Sequence, residues 1–270
     1  MNGCVFTENM SEYESYSVLL CDRAKSLTAE GEPTGEMAPT GFDAAHLRRV
    51  CECLCEEGLD ASIVDLTPHC RLKDAPEACI LVIRGWRPDI ADAAFQQVRG
   101  IKYDTFTHQY GHVVQAHSRH VVFVGEKPRK ADESIGMRTV LGWQDVDVID
   151  KARAWIAKVL DSEEYIKSAC ILKYPDIRKC GISAHGDGER RRTIVYRVGK
   201  VSSKRSLDFQ WYRDGAEVSD KVKIDLHHGD FAVSSEVAVG TNWKKRKIPT
   251  LRHSTGFIAK KPASSKKKKM

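Results

Sequence analysis

Beyond Ile166 the apolar residues of this chain stop recurring at helical spacing. They fall instead into short runs rich in β-branched and aromatic side chains: Cys170 to Tyr174, Thr193 to Val198, Leu207 to Tyr212, Val222 to Leu226, Phe231 to Val239 and Ile248 to Ile258. Turn-forming residues separate the runs and no helical stretch lies between them. A parallel pair needs a long crossover, most often a helix. Runs joined by turns alone therefore predict an antiparallel sandwich or barrel built in the C-terminal half.

The N-terminal half reads differently. After Asp43, a candidate N-cap, Ala44, Leu47, Val50 and Leu54 recur on one helical face until Gly58. Asp147 to Leu160 repeats the pattern with Val148, Ala152, Trp155, Ile156 and Val159, and Asp89 to Val98 is expected to be helical as well. The unbroken run Ala78 to Ile83 predicts a strand buried on both faces, and Val113-Val114 and Val121 to Val124 predict further strands. The fold class is thus α+β, with the N-terminal helices packed on one sheet. Residues 1–40, rich in Glu, Ser, Thr, Gly and Pro, read as a disordered acidic leader. A single domain is expected over 41–259, mixed from 41 to 165 and β-rich from 166 to 259. Residues 260–270 read as a disordered lysine-rich tail.

No window approaches 18 uninterrupted apolar residues, and the start lacks a basic-then-apolar secretory signal. The nine cysteines are odd in number and scattered, so reduced thiols, an intracellular (cytoplasmic or nuclear) location, no membrane association and no disulfide-linked partner are expected. Cys51, Cys53 and Cys55 lie on the first helix. Two residues turn a helix by about 200°, so Cys53 points away from the others and the three cannot share one ion. The net charge of +6 hides a gradient. Residues 1–40 carry seven acidic and two basic side chains, residues 241–270 carry eleven basic and none acidic, and the body between is neutral. A tail such as Lys266 to Lys269 suits phosphate contacts, or serves as a solubility or localisation tag.

The chemistry concentrates at His185 and Asp187, in Ile182-Ser183-Ala184-His185-Gly186-Asp187-Gly188-Glu189. On extended chain, residues i and i+2 share a face, so an imidazole and a carboxylate can meet one metal ion. With a second histidine they form the facial triad that leaves positions open on Fe(II) for an oxo acid and dioxygen. His253 is the candidate third ligand, because the 66 residues between Asp187 and His253 fit about four strands and a return to the start. The competing assignment is that these are polar turn or core residues. A second match, His228-Gly229-Asp230, lies only 23 residues before His253 and reads as a turn launching the strand at Phe231.

Several motifs occur in a recognisable order: His185-Gly-Asp-x-Glu-Arg-Arg, Ile194-Val-Tyr-Arg-Val-Gly199, the aromatic strand Phe209-Gln-Trp-Tyr212, the Gly229-Asp230 turn, and Ser235-Glu-x-Ala-Val-Gly-x-x-Trp-Lys-Lys245 followed by Thr250-Leu-Arg-His253. Together they resemble the Fe(II)/2-oxoglutarate dioxygenases of the AlkB-like superfamily, in a divergent branch found in large DNA viruses and protists. The resemblance covers roughly residues 78 to 257. It implies a double-stranded β-helix, or jelly-roll, with metal at its mouth. It also implies oxidation of a substrate C–H bond by O2, coupled to decarboxylation of 2-oxoglutarate to succinate.

On that resemblance His185, Asp187 and His253 hold iron. The far carboxylate of 2-oxoglutarate needs a buried cation, best an Arg able to bond it twice. The candidates are Arg197, Lys260 with Lys261, and Arg252, which neighbours His253 and on a regular strand points away from it. Tyr174 resembles the tyrosine that bonds the co-substrate, although the Asn of that motif is Leu172 here. Arg119, His120, Trp243, Lys244 and Lys245 are expected to flank the mouth, where an aromatic among cations suits stacking on a base and neutralising phosphates. The function implied is oxidation of a nucleobase in DNA or RNA. Two alternatives stay open: the same oxidation on a protein side chain or small molecule, and a non-catalytic basic β-sandwich that binds a partner.

Overall fold

The computed structural model describes residues 14–25, 33–109, 112–200 and 205–256. Its largest element is an eight-stranded sheet. The strands, in chain order, are β1 (Ser15–Cys21), β2 (Ala61–Asp65), β3 (Cys79–Ile83), β4 (His120–Val124), β5 (Val140–Leu141), β6 (Ser168–Tyr174), β8 (Thr193–Val198) and β11 (Phe231–Ser234), and their spatial order is β2-β3-β11-β8-β1-β6-β4-β5. All neighbours pair antiparallel except β4 and β5. The second sheet joins β7 (Gly181–His185), β12 (Thr250–Gly256), β9 (Arg205–Arg213) and β10 (Val222–Leu226), with β9 between β12 and β10.

Period-two alternation sets what each face of the large sheet does. Tyr16, Val18 and Leu20, like Ile194, Tyr196 and Val198, point to one side and pack against three helices: α1 (Ala44–Glu56), α2 (Pro88–Gly100) and α3 (Asp147–Val159). Each helix offers an apolar stripe: Leu47, Val50 and Leu54 from α1, as read from sequence; Ala91, Ala94 and Val98 from α2; and Ile149, Ala152 and Ile156 from α3, where Val148, Trp155 and Val159 of the expected face are only partly buried. Asp43 caps α1, its Oδ1 accepting from the His46 amide at 2.6 Å. Trp86 and Trp155 stack at 4.4 Å over this layer. The alternate residues Ser17, Leu19, Thr193, Val195 and Arg197 face the second sheet instead and line a cavity between the two.

The strands from β6 onward pair as nested brackets: β9 with β10, β8 with β11, and β7 with β12. Successive strands β6, β7, β8 and β9 alternate between the two sheets, and so do β10, β11 and β12. The outermost bracket is closed by β1, which pairs with β6 on one side and β8 on the other.

That last pairing corrects the reading of residues 1–40 as a leader, because Ser15–Cys21 is an interior strand of the large sheet. The run is only seven residues long and sits among Glu, Ser and Thr, so its pattern shows only when both neighbours are in place. It also means that the large sheet draws β1 to β5 from the N-terminal half, so the sheets are not built from the C-terminal half alone. The run Phe231 to Val239 divides as well. Its strand stops at Ser234 and a single helical turn, α4 (Glu236–Val239), ends at Gly240 with φ of 75°. Residues 1–13 and the lysine tail, with Lys260 and Lys261, lie outside the described residues.

Candidate metal centre

β7 and β12 place His185 and His253 directly opposite each other, as paired residues of one antiparallel ladder. Their rings sit 4.5 Å apart, edge to face. Asp187 follows β7 and turns back between them, with Oδ1 3.5 Å from His185 Nε2 and 3.8 Å from His253 Nε2. One ligand atom from each of the three lies within 4.8 Å of the others, and among the described residues no other trio of His, Cys, Asp or Glu converges in this way. The backbone carbonyl of Ser183 accepts from His185 Nδ1 at 2.8 Å. That bond fixes the tautomer and leaves the Nε2 lone pair for a metal.

Two glycines make the turn possible. A Cβ on Gly186 would collide with the carbonyl oxygen of Gly240 and come 2.7 Å from Trp243 Cβ, and Gly240 has the positive φ that ends α4. Their close crossing lets the Asp187 amide donate to the Val239 carbonyl at 3.0 Å, which aims the carboxylate inward.

The electrostatics keep Asp187 and His253 free of extra protons at neutral pH. Burial alone pushes the Asp187 carboxyl up, but Arg190, both histidines and Arg119 together outweigh it and hold the pKa below the ordinary value. Burial pushes the His253 imidazole down to about 4, so the ring is neutral, as a metal ligand must be. Arg190 stands behind the carboxylate with Nε 3.6 Å from Asp187 Oδ2 and Nη2 2.6 Å from Glu189 Oε1. Its Nη1 faces the buried thiols of Cys21 and Cys170, each at 3.9 Å.

The cluster opens into the cavity between the sheets, of about 340 Å³, with Tyr174, Arg197, Arg205, Arg119 and Arg138 on its walls. Arg205 was missed from sequence, since nothing in its local pattern distinguishes it from an outward-facing strand Arg. Its Nε donates to Thr255 Oγ1 at 3.0 Å and its Nη2 to the Cys180 carbonyl at 3.2 Å. The guanidinium lies 3.5 Å over the Tyr174 ring, while Nη1 is buried without a partner. Arg197 reaches the same cavity, but its Nη1 donates to the carbonyls of Tyr16 and Val198, and burial brings its pKa down to about 10.

Other candidates lie elsewhere. Arg252 does not reach the cavity: as its alternation with His253 requires, it turns outward and stacks on Tyr212 at 4.1 Å and Trp243 at 5.3 Å. Trp243 folds back against Gly186, Lys244 lies 5.5 Å over its ring, and Lys245 is exposed. None of these three, nor His120, lines the cavity; of the residues expected at the rim, only Arg119 does. The second His-Gly-Asp is a turn, with Asp230 accepting from the His227 amide at 2.8 Å and from Arg84 Nη1 at 2.6 Å before β11 begins.

No protein-family model matches the sequence. Over 248 residues the chain is 31% identical to "Uncharacterized protein R156" of Acanthamoeba polyphaga mimivirus, a match that covers 90% of this chain and 96% of the viral one. The chain belongs to the same family as that mimivirus protein.

Proposed function

We propose that the protein is an Fe(II)- and 2-oxoglutarate-dependent dioxygenase built on a jelly-roll, oxidising a nucleobase. The observation that carries this reading is the convergence of His185, Asp187 and His253 on the lining of a cavity that also holds a buried guanidinium nitrogen of Arg205 without a partner. The nested strand pairing around that cavity supports the jelly-roll, whose last place is filled by β1.

The donor set fits Fe(II): two neutral imidazoles and one carboxylate on one side of an ion leave the other side open. When bound, iron, 2-oxoglutarate and O2 supply the oxidation of a substrate C–H bond while the oxo acid loses CO2 and becomes succinate. The chain's own residues provide position and environment. Asp187 stays ionised under its surrounding cations, and Ser183 keeps the His185 ring turned to the site. Arg205 is placed to take the far carboxylate of the oxo acid. It is bonded to Thr255, two residues along β12 from His253 and hence about 7 Å from it by Cα. Leu207 and Phe209 on β9 and Val195 on β8 line the wall and keep water from the reacting bond. The nucleobase assignment rests on the superfamily resemblance, with Arg119 as the rim cation that reaches the cavity.

Anaerobic titration with Fe(II) and then 2-oxoglutarate tests the reading. A visible charge-transfer band is expected at one iron and one oxo acid per chain, absent from Asp187→Ala and requiring at least tenfold more oxo acid in Arg205→Met. If His185→Ala binds metal as tightly as the parent, the proposal fails and a non-catalytic basic sandwich is left.

A further inference from the structure

Besides Arg205, the buried guanidinium groups of Arg190, Arg197 and Arg138 line the cavity; Arg190 has Asp187 and Glu189 beside it and Arg197 bonds backbone carbonyls, which leaves Arg138. Arg138 precedes β5 and is 6% exposed. Its guanidinium lies 5.7 Å from the Phe106 ring centroid, and its Nη1 is buried with no hydrogen-bond partner. The nearby Asp104 carboxylate favours the charged guanidinium through space but gives it no hydrogen bond, its two oxygens accepting instead from Thr139, at 2.8 Å from the amide and 2.8 Å from the hydroxyl. Arg119 lines the same cavity, and no described residue accepts a hydrogen bond from its guanidinium. A charged donor left buried and unpaired is costly, more so than a neutral one. The orphan donors of Arg205 and Arg138, neither of which a carboxylate bonds, therefore mark two places for anions. One oxo acid accounts for one of them, since its other carboxylate belongs at the metal.

We infer that Arg138, assisted by Arg119, holds an oxyanion carried by the substrate itself, so that the substrate is a compact anionic molecule which enters the cavity whole. This rests on the dioxygenase reading and narrows it. The phosphates of a nucleic-acid strand run along a protein surface, where exposed lysines meet them. A cation as enclosed as Arg138 is reached only by a terminal group, either the phosphate of a mononucleotide or the carboxylate of a small acid. Arg fits both, as a planar fork that bonds two oxygens at once.

The test measures the 31P linewidth of inorganic phosphate and the methyl 1H linewidth of acetate in the presence of the full-length protein. Both are recorded first without metal and then with Zn(II) and saturating 2-oxoglutarate. Saturable broadening of at least one anion is expected in both states. The anion that binds more tightly identifies the group as phosphate or carboxylate. Arg138→Met should weaken that binding at least tenfold, Arg138→Lys should recover part of it, and both should keep the parental melting temperature within a few degrees and 2-oxoglutarate affinity within twofold. Equal anion binding by Arg138→Met and the parent overturns the inference, as does displacement of the anion by 2-oxoglutarate. A protein that takes up neither metal nor oxo acid defeats the dioxygenase reading instead, and the metal-free comparison of Arg138 variants still decides whether the anion site exists.

Discussion

His185 and His253 are cross-strand partners, paired residue to residue between β7 and β12 with their rings 4.5 Å apart. A metal held by both, and by Asp187 beside them, therefore clips together two strands whose sequence positions are far apart. Anything that binds only the folded state stabilises it by mass action, about 2.7 kcal/mol at a hundredfold excess over the dissociation constant. The melting temperature should rise on adding Mn(II) or Zn(II). His185→Ala and His253→Ala should abolish the rise, and Asp187→Asn should weaken metal binding at least tenfold. A calorimetric scan in which the alanine variants rise as far as the parent would remove the metal centre.

The low pKa of His253 makes a second prediction, for the metal-free protein. Unfolded, the ring titrates near 6.5, whereas burial holds it at about 4 in the fold. Between those values the unfolded chain binds the extra proton, so stability is whole above pH 6.5 and falls as the pH drops toward 4. The loss is at most about 3–4 kcal/mol. Asp187, also held below its ordinary value, adds a loss of the same sign at lower pH. Melting curves from pH 7 to 4 should show a steeper decline in the parent than in His253→Phe; parallel curves would contradict the assignment.

Gly186 is required by contact. Its missing side chain is filled by the Gly240 carbonyl and by Trp243, whereas a Cβ on Gly188 would meet only the Thr241 carbonyl oxygen, at 3.7 Å. Gly186→Ala must push β7 and the α4 turn apart, at a cost of ~1–3 kcal/mol. Because the same crossing aims Asp187, metal affinity should fall at least tenfold. Gly188→Ala, two residues away, should leave both properties nearly unchanged. Titration of the two variants side by side separates the effects, and equal behaviour would show that the crossing does not position the ligand.

How much of this was legible follows from where the information lies in the chain. The α1 stripe, the α3 helix, the buried strand at Cys79–Ile83 and most of the β-rich runs are local periodic patterns, and the structure keeps them, apart from the run at Phe231, whose second half is a helical turn. His185 with Asp187 could be read as a pair two residues apart, although the turn after β7, not a shared strand face, brings the carboxylate back to the imidazole, and His253 could be read because the intervening length allows a return. Arg205 and Arg138 could not be read. Their significance lies in one guanidinium nitrogen of each left without a partner once distant segments close around the cavity, and no local pattern encodes that. Arg197 could be read only as either an anchor inside or an outward-facing strand Arg; the structure buries it, and the carbonyls it bonds belong partly to β1, a strand not recognised at all.

β1 itself carries the last prediction. If residues 15–21 formed a leader, substitutions there would leave stability almost untouched. In the structure Leu20 is fully buried on the helix-covered face, opposite Ala169 on β6 and Ile194 on β8. Truncating such a side chain removes its transfer free energy and leaves a cavity, which together cost about 2–5 kcal/mol. Leu20→Ala should lower the urea midpoint accordingly without changing metal stoichiometry in the folded state. Met37→Ala, at a residue 41% exposed, is the control and should be close to neutral. A cost for Leu20→Ala below about 0.5 kcal/mol, the usual size for a surface change, would take β1 out of the sheet. The outermost bracket of the nested pairing would then be left open.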